Sequence, residues 1–108
     1  MTMENLIRSQ DIIGKTVVDE EGRRVGTVED INFDPQAWHV DGILVTLEDE
    51  AAEALGEKRP MLGMGKAQLN IRTPRINNAG DFVLLKGTLR DMARALHEGG
   101  GQYGGPPR

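Results

Sequence analysis

The stretch "DEEGRRVGTVEDINFDPQAWHVDGILV", residues 19–45, decides the fold. Gly22 sits in "EEG", where a short hairpin loop demands a positive φ that glycine adopts without steric cost. The second turn, "DPQAW", opens on Asp34, whose carboxyl can accept hydrogen bonds from backbone just ahead of it, while Pro35 fixes φ at the first corner. No strand continues through such a loop. The flanking β-branched runs "KTVVD", "RRVGTVEDINFD" and "HVDGILVTLE" therefore read as three successive antiparallel strands. Within the second of them, Gly26 costs about 0.5–1 kcal/mol relative to alanine unless a bulge or a close backbone approach uses it. A tight bend in a small, curled sheet is such a use.

Upstream, "IRSQDIIGK" predicts one helical turn, with Ser9 as its cap, Ile12 and Ile13 turned inward and Gly14 as the exit. Downstream, "EDEAAEALGEK" changes to helix formers, with Ala51, Ala52 and Leu55 on one side and Gly56 as a stop. "RPMLGMGK" reads as a loop. "AQLNIRTPRI" alternates Leu69, Ile71 and Thr73 until Pro74 demotes its end to an edge or bulge. "NNAGD" reads as a turn and "FVLLKG" as a short strand buried on both faces. "GTLRDMARALHE" then pairs Thr88 with Asp91 as a capping box and aligns Leu89, Met92, Ala93 and Leu96. The remainder, "GGGQYGGPPR", is too poor in apolar residues to predict anything but a disordered tail. The expected fold is mainly β: a small barrel of about five or six antiparallel strands, with a short surface helix and a C-terminal amphipathic helix. One domain spans 1–97 and the tail 98–108.

Composition narrows function by exclusion. With 108 residues, 38% apolar and 4% aromatic, the chain encloses one lean aliphatic core. It has no cysteine, so thiolate metal sites and thiol nucleophiles are excluded. A net charge of -4 disfavours non-specific nucleic-acid binding. No apolar run approaches the roughly 20 residues that cross a bilayer, nor does the start carry a signal-peptide core, so a cytoplasmic protein without direct membrane insertion is expected.

Fragments that suggest chemistry do not complete it. "GMGK" has Pro60 and Ala67 where a phosphate loop needs glycine and a hydroxyl. The acids Glu48, Asp49, Glu50, Glu53 and Glu57 lack the spacing of a calcium loop and read as a solvated helix face. His39 and His97 have no third ligand at metal spacing, and His97 suits a helix C-terminus. Ser9 is the sole serine and reads as a cap. No catalytic residue, metal or cofactor is expected.

Interaction residues are the remaining candidates. Along "HVDGILVTLE", simple alternation puts Ile43, Val45 and Leu47 on one face and Val40, Gly42 and Leu44 on the other, a strand apolar on both sides. Val40 and Leu44 are thus expected on an outer docking face. Trp38, just after the turn, is either a lid on one barrel end or an exposed anchor of the kind enriched in binding hot spots. Tyr103 in the tail reads as a short linear motif or as part of an unstructured end.

Residues 11–45, "DIIGKTVVDEEGRRVGTVEDINFDPQAWHVDGILV", resemble the signature half of the PRC-barrel family. The matching positions are Gly14, Lys15, Val17, Gly22, Gly26, Val28, Asp30, Asp34, Pro35 and Val45. "IRTPRINNAGDFVLLKG" is similar to the family's second half through Gly80, Asp81, Val83 and Leu85. The resemblance implies a compact β-barrel adaptor with no catalytic residues, closest in type to stand-alone archaeal members. For those it implies a homodimer in the cell-division machinery, linked to a SepF-type anchor and so brought to the division site. Its alternative implication is a ribosome-assembly or RNA-processing module, for which Arg72, Arg75, Lys86, Arg90 and Arg94 would supply a basic face.

Overall fold

Three strands set the frame, and each lies where the turn chemistry puts it. The structure, a computed structural model, describes residues 7–56, 67–99 and 102–103. β1 (Thr16–Val18) pairs antiparallel with β2 (Arg24–Asp34), and β2 with β3 (His39–Leu47). Gly22 takes φ 83° in the first turn. Asp34 Oδ1 accepts from the N–H groups of Gln36 and Ala37 at 2.9 and 3.2 Å in the second. These donors, Ala37 first, hold the Asp34 carboxyl below its ordinary pKa.

The sheet extends on both sides. β4 (Gln68–Arg72) pairs antiparallel with β3, and a single 3₁₀ turn over Thr73–Arg75, with Pro74 near its start, ends that strand. β5 (Ile76–Ala79) and β6 (Val83–Leu85) form a hairpin whose β6 runs parallel to β1. β7 (Gln102–Tyr103) runs parallel to β4. The seven strands take the order β5-β6-β1-β2-β3-β4-β7. Mainly β is therefore correct; the described residues form seven strands where five or six were expected, and two of the pairings are parallel. These arise because the strands come back to the frame after excursions through other elements, which sequence alternation alone does not reveal.

Four local expectations need correction. Ser9 is the first residue of α1 (Ser9–Ile12), not its cap; Arg8 precedes the helix and its N–H donates to Asp11 Oδ2 at 3.1 Å. Ile12 packs on the core, whereas Ile13 is exposed. "NNAGD" is partly strand, because Asn78 and Ala79 pair with Leu84 and Val83. The turn falls after them, and Phe82, expected within the buried run, is 55% exposed.

Val17, Val25, Val45, Leu69, Ile71 and Leu85 fill the concave side of the sheet. α2 (Asp49–Leu55) turns Ala51, Ala52 and Leu55 into that core and ends on Gly56 at φ 75°. It packs against α3 (Leu89–Gly99), which contributes Leu89, Met92 and Leu96. The expected loop at 59–66 lies outside the described residues, as does the side chain of His97.

Asp91 caps α3 as its spacing predicts. The Thr88 N–H donates to Asp91 Oδ2 at 2.9 Å, and the Asp91 N–H donates to Thr88 Oγ1 at 3.1 Å. The Asp91 carboxyl is held below its ordinary value of 3.8, first by the Thr88 N–H and then by the Thr88 side chain. A depressed carboxyl stabilises the fold above the unfolded-state value and stops doing so as pH falls through the lower folded value. The thermal midpoint of the wild type should therefore exceed that of Asp91→Asn at about pH 5, and the gap should close towards about pH 2. A gap that stays constant across that range would contradict the cap assignment.

Candidate protein-interaction surface

Among the described residues, only half of the β2–β3 hairpin is flanked by other strands. Pairing with β1 and the loop before it reaches Val28 on β2, and pairing with β4 stops at Gly42 on β3. Beyond those points the ribbon continues as two strands, braced where the Thr73 hydroxyl donates to the Val40 carbonyl at 2.9 Å. Its four-residue loop is closed by the Trp38 N–H donating to the Asp34 carbonyl at 2.8 Å. Trp38 takes φ 60°, and among the described residues it is the one non-glycine with positive φ. A bulky side chain in the left-handed region costs on the order of 1–2 kcal/mol, and such strain gathers at functional positions.

That conformation sets the indole edge-on to Phe33, with centroids 4.9 Å apart and planes at 78°. Geometry of this kind contributes about 0.5–1.5 kcal/mol beyond simple burial, enough to hold an aromatic pair in place before a partner arrives. Trp38 is nevertheless 77% exposed, Phe33 48% and Val40 45%. Trp38 is thus no lid; it stands exposed at the end of the ribbon, beyond the residues that β1 and β4 flank. Phe33 and Val40 face each other across the strands.

Two bulges decide which residues join this cluster. Asn32 pairs with Gly42, but Phe33 pairs with Val40, leaving Asp41 as the extra residue. Because Asn32 and Phe33 point to opposite faces, so do Gly42 and Val40. Val40 therefore leaves the face of Leu44 and joins Phe33, contrary to the simple alternation. A matching bulge at Glu29 puts Asp30, opposite Leu44, on the outer face while Val28 and Ile31 stay with the core.

Leu44 is half-buried among polar neighbours. Asn32 Nδ2 donates to Asn70 Oδ1 at 2.9 Å, Thr46 Oγ1 to Glu29 Oε1 at 2.8 Å, and Arg72 Nη2 to Asp41 Oδ1 at 2.9 Å. The expected apolar outer face is in fact a polar network around one leucine.

Tyr103 is the largest departure. It belongs to β7, is 1% exposed, and its hydroxyl donates to the Lys86 carbonyl at 3.0 Å. The Arg75 guanidinium carbon lies 5.2 Å from its ring centroid. Burial, chiefly, raises its pKa above 10.0. The composition of "GGGQYGGPPR" concealed this, because one aromatic with a ready-made seat can be held where the segment as a whole cannot form a core. Residues 100–101 and 104–108 of the expected tail lie outside the described residues. Phe33 was missed as well, although aromatics on both sides of a four-residue hairpin loop are a readable signal for a cross-strand contact.

Among the described residues no three His, Asp or Glu side chains gather as a metal site, and no helix is long and apolar enough to cross a membrane. The fold defines a class: a small, strongly curled β domain whose conspicuous surface feature is a protruding aromatic tip. The chain belongs to the PRC-barrel domain family, whose model matches residues 4–88. This is a family of protein-interaction modules. No curated protein matches the chain.

Proposed function

We propose that this chain is a non-catalytic, homodimeric adaptor that docks a protein partner on the hairpin tip formed by Phe33, Trp38 and Val40. The exposed, prearranged aromatic pair carries this reading, since leaving so much apolar surface in water is unfavourable unless a partner covers it. Glu29, Asp30 and Asp34 lie along the same ribbon, so a complementary partner offers an apolar groove with a basic rim. The finer reading is an adaptor of the archaeal cell-division machinery linked to a SepF-type anchor. It rests on the motifs within residues 11–87 that resemble the stand-alone archaeal members. A ribosome-assembly or RNA-processing role is less well supported, because Arg72 is held by Asp41 and Arg75 lies over Tyr103, which leaves fewer free cations on an acidic chain.

Titrating a SepF-type division protein into the purified chain tests both levels. Trp38→Ala should weaken binding about thirtyfold, or about 2 kcal/mol, with the thermal midpoint little changed. Undiminished affinity in Trp38→Ala would remove the tip as the docking site, and absence of binding by the wild type would remove this partner. Sedimentation equilibrium reports the homodimer directly.

A further inference from the structure

The tyrosine seat has the form of a binding site already holding a ligand. β7 is two residues long and lies on the free side of β4, with Gln102 opposite Asn70 and Tyr103 opposite Ile71. It falls outside the residues matched to the family, 4–88. Glycines stand at 99, 100 and 101 before it and at 104 and 105 after it, and glycine loses more conformational freedom on ordering than any other residue. What holds this short strand is the seat: backbone pairing with β4, the Lys86 carbonyl, the Arg75 guanidinium and the surface of Gly87. A Cβ on Gly87 would meet the tyrosine hydroxyl at 2.5 Å, so glycine there keeps the seat open. The same contacts bridge one edge of the sheet to the segment after β6 near the other, closing a seam that no backbone ladder closes among the described residues.

We propose that the β4 edge and the tyrosine seat form a groove for an extended peptide carrying tyrosine between small residues. Gln102–Tyr103 is its occupant in cis, and the same segment of a second copy is its occupant in trans. Addition of a strand to an open sheet edge, with a pocket for one side chain, is an established mode of peptide recognition. Two residues separate Gly99 from Gln102, and a short connection of that kind favours exchange of the terminal element between copies, since the contacts made are the same either way. The tip residues Phe33, Trp38 and Val40 take no part, so this inference stands independently of the docking proposed there.

Calorimetric titration of the full chain with the free peptide of residues 100–108 tests it. A groove filled in cis binds an outside peptide less tightly in proportion to the fraction of time it is empty. Tyr103→Ala should therefore bind the peptide at least tenfold more tightly than the wild type does. Tyr103→Phe, which keeps the ring and loses the hydroxyl, should fall between them. The same peptide with alanine in place of its tyrosine should not bind. Equal binding by all three proteins, or none by a folded Tyr103→Ala chain at millimolar peptide, would overturn the proposal. So would a Tyr103→Ala chain that fails to fold, because the tyrosine would then be part of the core and not a separable occupant.

Discussion

Asp19→Ala should lower unfolding free energy by about 4 kcal/mol, a large share of the roughly 5–15 kcal/mol typical of a small domain. Asp19 is fully buried. Its Oδ1 accepts from the N–H groups of Glu21 and Arg23 at 2.9 and 2.8 Å, shaping the β1–β2 turn. Its Oδ2 accepts from the Leu89 N–H at 2.9 Å, seventy residues away, where α3 begins. One carboxyl group thus ties the first hairpin to the last helix. Alanine would strand three backbone donors, the Leu89 N–H in a buried bond and those of Glu21 and Arg23 in part-buried ones, and an unmet buried donor costs about 1–3 kcal/mol. An asparagine side chain would keep one acceptor oxygen but turn an amide towards a donor, so Asp19→Asn should cost less and should loosen α3 before the turn. Urea unfolding followed by circular dichroism measures both variants. A loss under about 1 kcal/mol for Asp19→Ala would mean that the three donors find other partners.

Gly26→Ala should cost on the order of 3 kcal/mol, the upper part of the range for overpacking a filled interior. A methyl group there would overlap the Thr46 carbonyl and crowd Val45 Cγ1 at 2.9 Å. Neither neighbour can yield easily, because β2 is held by β1 on one side and by β3 on the other, with β4 behind β3. Gly42 has the same character on β3, where an added Cβ would meet the backbone of Ile71 and Arg72. Gly80 supplies the control. It has open space around it and no positive φ, so Gly80→Ala should stay within about 0.5 kcal/mol of the wild type. Thermal or urea unfolding of the two variants, compared with the wild type, checks the contrast. Equal midpoints for Gly26→Ala and Gly80→Ala would contradict a close backbone approach at residue 26.

Both predictions concern contacts between distant parts of the chain, and they differ in how far the sequence pointed to them. Gly26 announced itself, since glycine within a β-branched run requires a reason, and close approach was among the reasons expected. Asp19 did not. It reads as an ordinary turn acid, and nothing local reveals that the start of α3 lies against it.

The sequence by itself determined the first three strands and their antiparallel order, the two turns, α2 with its glycine stop and the Thr88–Asp91 cap. Those features depend on φ restrictions, side chains bonding to nearby backbone and the periodicity of apolar residues, all of which act within a few positions of the residue concerned. Tertiary structure alone decided the parallel pairings of β6 and β7, the bulge at Asp41 that moves Val40 from the side of Leu44 to that of Phe33, and the seat that buries Tyr103. Each depends on which distant segment completes a hydrogen-bond ladder or closes a cavity, and one unpaired residue is enough to reverse the face of every position beyond it.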